Sequence, residues 1–336
     1  MVNHQFRLER RPEGSLVASD LRYSEGPVWP PGRGQLLVQV LYLSVDPGLR
    51  GWLNPARTYI APVEVGDVIR AIGVGKVVEA NGHNRFSPGD YVMGTLGAQE
   101  LCTTEGEDLV RVDPAMAPLS TYLGMLGLPG LTAYVAVTDL GRPARGETFV
   151  VSAGAGGVGS VAGQLARLRG CRVVGIVGGS EKCRYVTKEL GFDAAIDYKS
   201  EEVSRGLWRE CPDGVNVYLD NVGGEILDAV LVRLAKGARV VISGAVSQYN
   251  ETGPWRGPTN YMSLLVNRAS MVGFVVWDHL DRYESFAAEM AALMKNGSVR
   301  SREQIVDGLA ELPNAVTTLF AGDNLGKLVL RIASDE

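Results

Sequence analysis

Histidine and cysteine are scarce in this chain of 336 residues, and they are not grouped. Its three histidines and four cysteines are scattered: His4, His83, His279, Cys102, Cys171, Cys183 and Cys211. No two cysteines have the C-x-x-C spacing of a structural zinc site, and the pattern does not suggest a disulfide framework. A catalytic zinc needs about three protein ligands of the His, Cys or carboxylate type. We therefore expect no bound metal.

The chain also lacks basic runs and uninterrupted apolar runs. There are 33 Lys and Arg against 38 Asp and Glu, so the net charge is −5, which predicts no partnership with nucleic acid or an anionic membrane. The N-terminus has no apolar signal-peptide core. One uncharged stretch, residues 114–138, is long enough to cross a bilayer, but prolines and glycines interrupt it. We interpret it as a buried domain junction and expect a cytoplasmic protein.

The length exceeds what one hydrophobic core normally serves, which predicts two domains. Residues 1–124 contain short strand patterns with glycine-rich turns, typical of a β-rich domain. Over residues 125–297 strands alternate with helices, which predicts an α/β fold with a doubly wound parallel sheet. The expected strands are Phe149–Ser152, Val173–Val177, Ala194–Asp197, Val215–Asp220, Ala238–Ser243 and Met271–Val276. Residues 298–336 are expected to return to the first domain.

A glycine-rich stretch lies between the first of these strands and a helical pattern at 158–169. Gly154, Gly156 and Gly159 have the G-x-G-x-x-G spacing of a dinucleotide-binding loop, and a second apolar run follows the helix. The helix N-terminus would then face the phosphates, because its orphan N–H groups and the positive end of its dipole favour an anion. This β-α-β context favours dinucleotide binding over a glycine-rich loop without a ligand.

The end of the second strand indicates which dinucleotide binds. NAD sites usually carry an Asp or Glu there for the ribose 2′-hydroxyl, whereas this chain has small residues followed by Lys182. A cation without a competing carboxylate suits the 2′-phosphate of NADP(H). We therefore predict NADPH as the cofactor, with Lys182 at its 2′-phosphate. The alternative is that Lys182, which neighbours Glu181, is a solvated loop residue.

Several strings spread over nearly the entire chain together resemble one family. They are Asp46-Pro47 with Arg50-Gly51, Arg57 to Gly66, Gly130 to Tyr134, the glycine loop, Glu181 to Tyr185, Asp197 to Lys199, Asp220 to Gly224, Gln248 to Asn250 and Asn324 to Lys327. On these strings the chain resembles the medium-chain dehydrogenase/reductase superfamily, in its zinc-free branch of NADPH-dependent double-bond reductases. The resemblance is strongest to the bacterial curcumin-reductase-like members, which are related to prostaglandin, leukotriene and plant alkenal reductases.

The resemblance implies a GroES-like β domain, a Rossmann domain, a cleft that holds cofactor and substrate, and a homodimer. It also implies a set of NADPH-binding residues: Gly154, Gly156, Gly157, Val158 and Gly159 at the pyrophosphate, Lys182 and Tyr198 at the 2′-phosphate, and Asn221, Ser243, Gly244, Ala245, Tyr249, Phe274, Val275, Val276 and Asn324 elsewhere. From the residues alone, Tyr198, Asn221 and Asn324 are also explained as turn residues, and 274–276 as a buried strand.

The expected substrate pocket departs from the family pattern. Gly48-Leu49 stands where the relatives usually have an aromatic residue and a methionine, and that aromatic helps to shape their pocket. We expect Trp52 and Trp277 to fill some of the space, although either is also explained as core. We expect Arg50 to orient a polar substrate tail, with a structural ion pair as the alternative.

The implied reaction reduces the C=C bond of α,β-unsaturated ketones or aldehydes. It needs a hydride, which NADPH supplies, a hydrogen-bond donor for the developing enolate oxygen, and a proton for the α-carbon. A tyrosine hydroxyl suits the last two tasks. We predict Tyr249, just past a sheet strand, as the first candidate and Tyr59, in the β domain, as the second. A ribose hydroxyl of the cofactor, or packing roles for both tyrosines, are the alternatives.

Two other functions stay open on the sequence. The same cofactor serves quinone reduction, which these residues barely distinguish from enone reduction. The chain is also compatible with an NADPH-binding structural or regulatory protein that has no catalytic activity.

Overall fold

A computed structural model describes residues 2–55, 58–251 and 253–335, so Arg57, in one of the family-like strings, lies outside the described residues. The chain forms two compact units. Unit 1 comprises the residues up to Gly127 together with those from Glu303 onward, and unit 2 is Leu128–Arg302. The expected boundaries, 124/125 and 297/298, each fall a few residues earlier. None of the helices in the described ranges is long and apolar enough to span a bilayer.

The first part of unit 1 is built mainly from antiparallel strands. Its elements are β1 (Val2–Leu8), β2 (Leu21–Pro27), β3 (Leu36–Ser44), α1 (Pro47–Trp52), β4 (Ile72–Ala80), β5 (Tyr91–Thr95), β6 (Leu101–Thr104) and β7 (Val110–Val112). Strand β3 is buried almost throughout, because it lies inside the sheet, paired with β4 and along part of its length with β6, and side chains such as Val38 and Leu43 pack in the core cluster of this unit. The short helix α1 was not expected. It begins where Pro47 occupies the first helical turn, a position that suits proline because no N–H is needed there.

Unit 2 alternates strands with helices. Its elements are α2 (Leu128–Val135), β8 (Thr148–Ser152), α3 (Gly157–Leu168), β9 (Arg172–Val177), α4 (Ser180–Arg184), β10 (Ala194–Asp197), α5 (Val203–Glu210), β11 (Val215–Asp220), α6 (Gly224–Val232), β12 (Leu234–Ile242), α7 (Met262–Asn267), β13 (Ser270–Gly273) and α8 (Tyr283–Lys295). The strands pair in parallel in the order β10-β9-β8-β11-β12-β13. All carboxyl ends therefore share one edge, and the predicted doubly wound sheet is confirmed.

The last strand of unit 2 is shorter than expected. The prediction ran to Val276, but β13 ends at Gly273 and a 3₁₀ segment begins at Val276. The Asp278 N–H bonds to the Val275 carbonyl and turns the chain away from the sheet. An apolar run signals burial, and it does not mark the residue at which strand pairing stops.

The C-terminal segment completes the sheet of unit 1. It contains β14 (Glu303–Asp307), α9 (Leu312–Ala321) and β15 (Lys327–Arg331). Strand β15 pairs antiparallel with β3 and parallel with β14, so the sheet order is β14-β15-β3-β4-β5-β7, with β6 beside β3. Leu328 and Leu330 are buried in the same core cluster as Leu36 and Val38. The end of the chain is thus part of the hydrophobic core of unit 1.

Candidate active site

The glycine loop closes tightly between β8 and α3. Ala153 has a left-handed backbone, with φ of 51°, and Gly156 is the N-cap of α3. A methyl group on Gly159 would lie 2.4 Å from the Ala153 carbonyl oxygen, and one on Gly154 would lie 3.1 Å from Gly175 Cα. On Gly156 it would lie 3.3 Å from that same oxygen. These glycines therefore let α3 approach the strands, with Gly157 and Val158 in its first turn, where backbone N–H groups have no helical partner.

A second group of predicted residues lies where β9 and β10 end. Lys182 lies in α4, directly after β9, and Tyr198 directly follows β10. The Tyr198 ring lies against Gly178, where a methyl group would be 2.8 Å from the ring. Asp197 accepts backbone N–H bonds from Gly179 at 2.7 Å and from Lys199 at 3.0 Å. Burial raises the pKa of the Asp197 carboxyl, but these hydrogen bonds outweigh burial and the pKa is lowered. The Asp197 carboxylate therefore stabilises the turns that follow β9 and β10.

Polar side chains connect the ends of three adjacent strands, β8, β11 and β12. Asn221 Nδ2 donates to the Ser152 carbonyl at 2.7 Å, and Ser243 Oγ donates to Asn221 Oδ1 at 2.6 Å. Asp220 is fully buried, and its Oδ1 accepts from Ser152 Oγ at 3.1 Å and from Tyr218 Oη at 2.8 Å. Burial, together with the Asp220 carboxylate, raises the pKa of Tyr218 well above its ordinary value. The structure therefore brings Asn221 and Ser243 together beside the glycine loop.

Ser152 and Asp220 are residues that the sequence analysis missed as part of this network. Asp220 Oδ1 also accepts the N–H groups of Val222, at 3.0 Å, and Gly223, at 2.9 Å. The one available signal was that an acidic residue ends a buried strand immediately before Asn221. The side chain fixes the turn that presents Asn221, so its contribution here is to position a neighbour.

The remaining predicted residues of unit 2 lie past β12 and β13. Tyr249 folds back over the loop that follows β12, and its hydroxyl accepts the Ala245 N–H at 3.3 Å. A methyl group on Gly244 would lie 3.3 Å from the same hydroxyl. Phe274, Val275, Val276 and Trp277 are half-buried rather than fully buried. The expectation of a buried strand at 274–276 is therefore wrong, while their contact with a cofactor or substrate stays a prediction.

In unit 1, Trp52 and Tyr59 form a pair beside Gly48. Trp52 Nε1 donates to Tyr59 Oη at 3.2 Å. Trp52 is 7% exposed and Tyr59 is 57% exposed, so the buried indole holds a solvent-facing phenol. A methyl group on Gly48 would lie 3.4 Å from Trp52 Cζ2 and 3.8 Å from Tyr59 Oη. The glycine that replaces the family's aromatic thus faces these two rings.

The structure contradicts the expectation that Arg50 orients a substrate. Its side chain is fully buried and its guanidinium bonds to the carbonyls of Pro12 and Gly14 and to Asn54 Oδ1, the last at 2.6 Å. All three guanidinium nitrogens donate to the protein, so Arg50 stabilises the chain around α1. The arginine beside the Trp52 and Tyr59 pair is Arg70, whose guanidinium carbon lies 5.8 Å from the centre of the Trp52 ring. Nothing in the spacing of the sequence distinguished the two.

Asn324 lies in the C-terminal turn of unit 1. It is buried, and its Nδ2 donates to the Gly326 carbonyl at 2.8 Å. The neighbouring Lys327 is also buried, and its Nζ donates at 2.7 Å to both the Val45 carbonyl and Asp46 Oδ1. The observed bond supports the turn role for Asn324, and a cofactor contact stays a prediction.

Comparison with known proteins identifies the family. A family model described as the N-terminal domain of oxidoreductase matches residues 4–112, and one described as zinc-binding dehydrogenase matches residues 157–295. The chain is 40% identical over 339 residues to the NADPH-dependent curcumin reductase of Escherichia coli strain K12, covering 99% of this chain and 98% of that protein. It belongs to the medium-chain dehydrogenase/reductase family.

Further comparisons place this medium-chain dehydrogenase/reductase in the zinc-independent branch of double-bond reductases, as the sequence predicted. It is 38% identical over 309 residues to the NADP(+)-dependent 2-alkenal reductase of Nicotiana tabacum, covering 91% of this chain and 90% of that one. The crystal structure of CurA from Vibrio vulnificus in complex with NADPH matches with a TM-score of 0.93 and 36% identity, over 98% of this chain and 99% of that chain. The expected GroES-like and Rossmann folds are confirmed.

Although one family model is described as zinc-binding, the side chains of this family member are not grouped for a metal. Within residues 2–55, 58–251 and 253–335, no cluster of three or more His, Cys, Asp or Glu side chains could hold a metal ion. The prediction that no metal is bound rests on this donor set and on the sequence spacing.

Proposed function

We propose that the protein is an NADPH-dependent reductase of the C=C bond of α,β-unsaturated ketones or aldehydes. The observation that carries the proposal is the match along the whole chain to a reductase named for curcumin, supported by the match to an alkenal reductase. NADPH, when bound, supplies the hydride that reduces the β-carbon. The protein's own residues then have to bind the dinucleotide, orient the carbonyl and provide a proton.

The edge of the parallel sheet in unit 2 fits the dinucleotide. We assign the pyrophosphate to the loop Gly154–Gly159, because the close packing of these glycines leaves the first N–H groups of α3 available to an anion. Lys182 and Tyr198 are assigned to the 2′-phosphate, since both follow strands that end at this edge. The rest of the dinucleotide is assigned to the loops after β11 and β12. These loops contain the hydrogen-bonded pair Asn221 and Ser243, and Gly244, Ala245 and Tyr249.

Tyr59 is the phenol that the geometry favours for the substrate carbonyl. Its oxygen already accepts the Trp52 N–H, so its own O–H points elsewhere and can donate to a developing enolate oxygen. A hydroxyl that accepts one bond is also a stronger donor, because hydrogen bonds in a chain polarise one another. Tyr249 remains the alternative. Its oxygen accepts a backbone N–H from its own loop.

We also propose a homodimer that works in the cytoplasm. Strand β13 lies at the border of the sheet, and edge strands readily pair with another copy. Apolar side chains are exposed on and near it: Tyr261, Met262, Leu265, Val266 and Val272. All four cysteines are free thiols, the state that a reducing compartment maintains. Sedimentation analysis of the protein and of Val272→Lys tests the dimer, which the variant should weaken.

The enzymatic proposal is tested by following NADPH oxidation with a panel of enones, alkenals and benzoquinones, and by identifying the product by NMR. We expect a saturated ketone or aldehyde. Tyr59→Phe should lower kcat/KM by about 100-fold or more, as loss of one oxyanion donor does, and Tyr249→Phe should lower it less. Turnover of quinones alone would replace the proposal with quinone reduction. Binding of NADPH without turnover of any acceptor would indicate a non-catalytic role.

A further inference from the structure

Unit 1 contains a cavity of about 240 Å³. Its lining includes Arg70, Thr95 and Gln99, and also Asp67. Arg70 is the link between the cavity and the pair, because its guanidinium also lies over the Trp52 ring at 5.8 Å. Arg70 therefore neighbours both the cavity and the indole that bonds to Tyr59, the phenol assigned to the substrate carbonyl.

Arg70 is half-buried and carries its charge without an acidic partner among the described residues. Its one hydrogen bond there runs from Nη1 to the Ala61 carbonyl at 2.8 Å, which leaves Nε and Nη2 without an acceptor in the described parts of the chain. Burial lowers the pKa of Arg70, while the nearby Tyr59 acts in the opposite direction. Removing a cation from water is unfavourable unless an anion or hydrogen bonds compensate it.

Neighbouring arginines in unit 1 are satisfied by the protein itself. Arg50 uses all its nitrogens on carbonyls and Asn54, and Arg11 pairs with Glu64 at 3.0 Å. Asp67 lines the same cavity as Arg70, yet the two form no ion pair. Arg70, which lines the cavity, thus has two donor nitrogens, Nε and Nη2, with no acceptor among the described residues, and such a planar pair matches the two oxygens of a carboxylate.

We propose that Arg70 binds a carboxylate on the substrate, so that the enzyme prefers unsaturated ketones bearing a carboxylate over neutral ones of the same size. The inference rests on the proposed reductase function. Trp52 sets the spacing, because its N–H holds the Tyr59 hydroxyl and its ring face holds the guanidinium. A carboxylate separated by a short linker from the enone carbonyl reaches both groups.

The test compares an enone carboxylic acid with its own methyl ester, which has nearly the same shape without the charge. We expect kcat/KM for the acid to exceed that for the ester by about 10- to 100-fold, the value of hydrogen bonds to a charged group. Arg70→Gln should bring this ratio close to one. Arg70→Lys keeps the charge but loses the planar donor pair, so its ratio should be intermediate. Arg33→Gln removes an exposed arginine from the same unit and should keep the wild-type ratio.

A binding measurement makes the test independent of turnover. The saturated keto acid and its ester cannot be reduced at a C=C bond, so calorimetry on the wild-type protein gives their affinities directly. The acid should bind more tightly, by a margin that shrinks as salt is added. Equal affinities, or a preference that survives Arg70→Gln, would overturn the assignment of Arg70. Failure to reduce either the acid or the ester would instead overturn the reductase function itself.

Discussion

The two units prepare their candidate sites in different ways. In unit 2 the groups come from the backbone and from short side chains at strand ends, such as the first turn of α3 and the Asn221 and Ser243 pair. In unit 1 they come from long side chains that hold one another, with Trp52 bonded to Tyr59 and stacked on Arg70. The site in unit 2 depends on glycines, because an added side chain would block the backbone. The site in unit 1 depends on each of its long side chains being present. The two units should therefore respond to opposite kinds of substitution.

The largest effect is expected from removing a side chain that stabilises unit 1. Lys327→Met breaks the buried contacts of Nζ with the Val45 carbonyl and Asp46, and we expect a loss of about 3 kcal/mol in the free energy of unfolding. Denaturant titration measures it. On the same strand, Arg331→Met removes an ion pair with Asp307 that is open to solvent, so stability should hardly change. Equal losses in both variants would contradict the argument from burial.

The next largest effect is expected from the converse change, which adds a methyl group to a glycine of unit 2. Gly159→Ala places a carbon 2.4 Å from the Ala153 oxygen, so the loop and α3 have to separate, at a cost of about 1–3 kcal/mol in stability. Gly156→Ala meets the same oxygen at 3.3 Å, so it should leave stability largely intact while weakening NADPH binding at the assigned pyrophosphate site. Thermal melts and fluorescence titrations with NADPH separate the two. If Gly159→Ala were the more damaging variant in both measurements, both glycines would serve packing alone.

Lys182 is the charged side chain of unit 2 that we assign to the cofactor. We expect Lys182→Gln to raise the Kd for NADPH about tenfold and to leave that for NADH within about twofold, since only NADPH has the 2′-phosphate. Lys188→Gln, an exposed lysine shortly after α4, is the control for a general loss of positive charge. A parallel loss of affinity for both dinucleotides would show that Lys182 supports the loop and does not read the phosphate.

The same contrast explains what could be predicted from the sequence. The parallel sheet was predictable because strand and helix patterns alternate along the sequence. The glycine loop was predictable because Gly154, Gly156 and Gly159 act through the backbone, whose conformation the local pattern specifies. The arginine was not predictable. Arg50 and Arg70 are of the same residue type, and only the fold shows that one is enclosed by carbonyls while the other faces a cavity. The prediction that the last strand extends over 274–276 was wrong for a related reason, because hydropathy carries no information about strand pairing.

Gly48 gives the smallest and most discriminating effect, because it is a backbone position within the side-chain site of unit 1. A methyl group there makes ordinary contacts with Trp52 at 3.4 Å and with Tyr59 at 3.8 Å, so Gly48→Ala should fit. It should also stabilise α1 by about 0.5–1 kcal/mol through helix propensity. Gly48→Phe adds a ring on the side of Trp52 and Tyr59, so kcat/KM for bulky enones should fall more than that for small alkenals. The pair of variants separates helix stability from pocket size, since both raise the helix propensity at this position but only phenylalanine fills space beside the two rings. If phenylalanine lowered kcat/KM equally for small and bulky substrates, the space beside Gly48 would not belong to the substrate pocket.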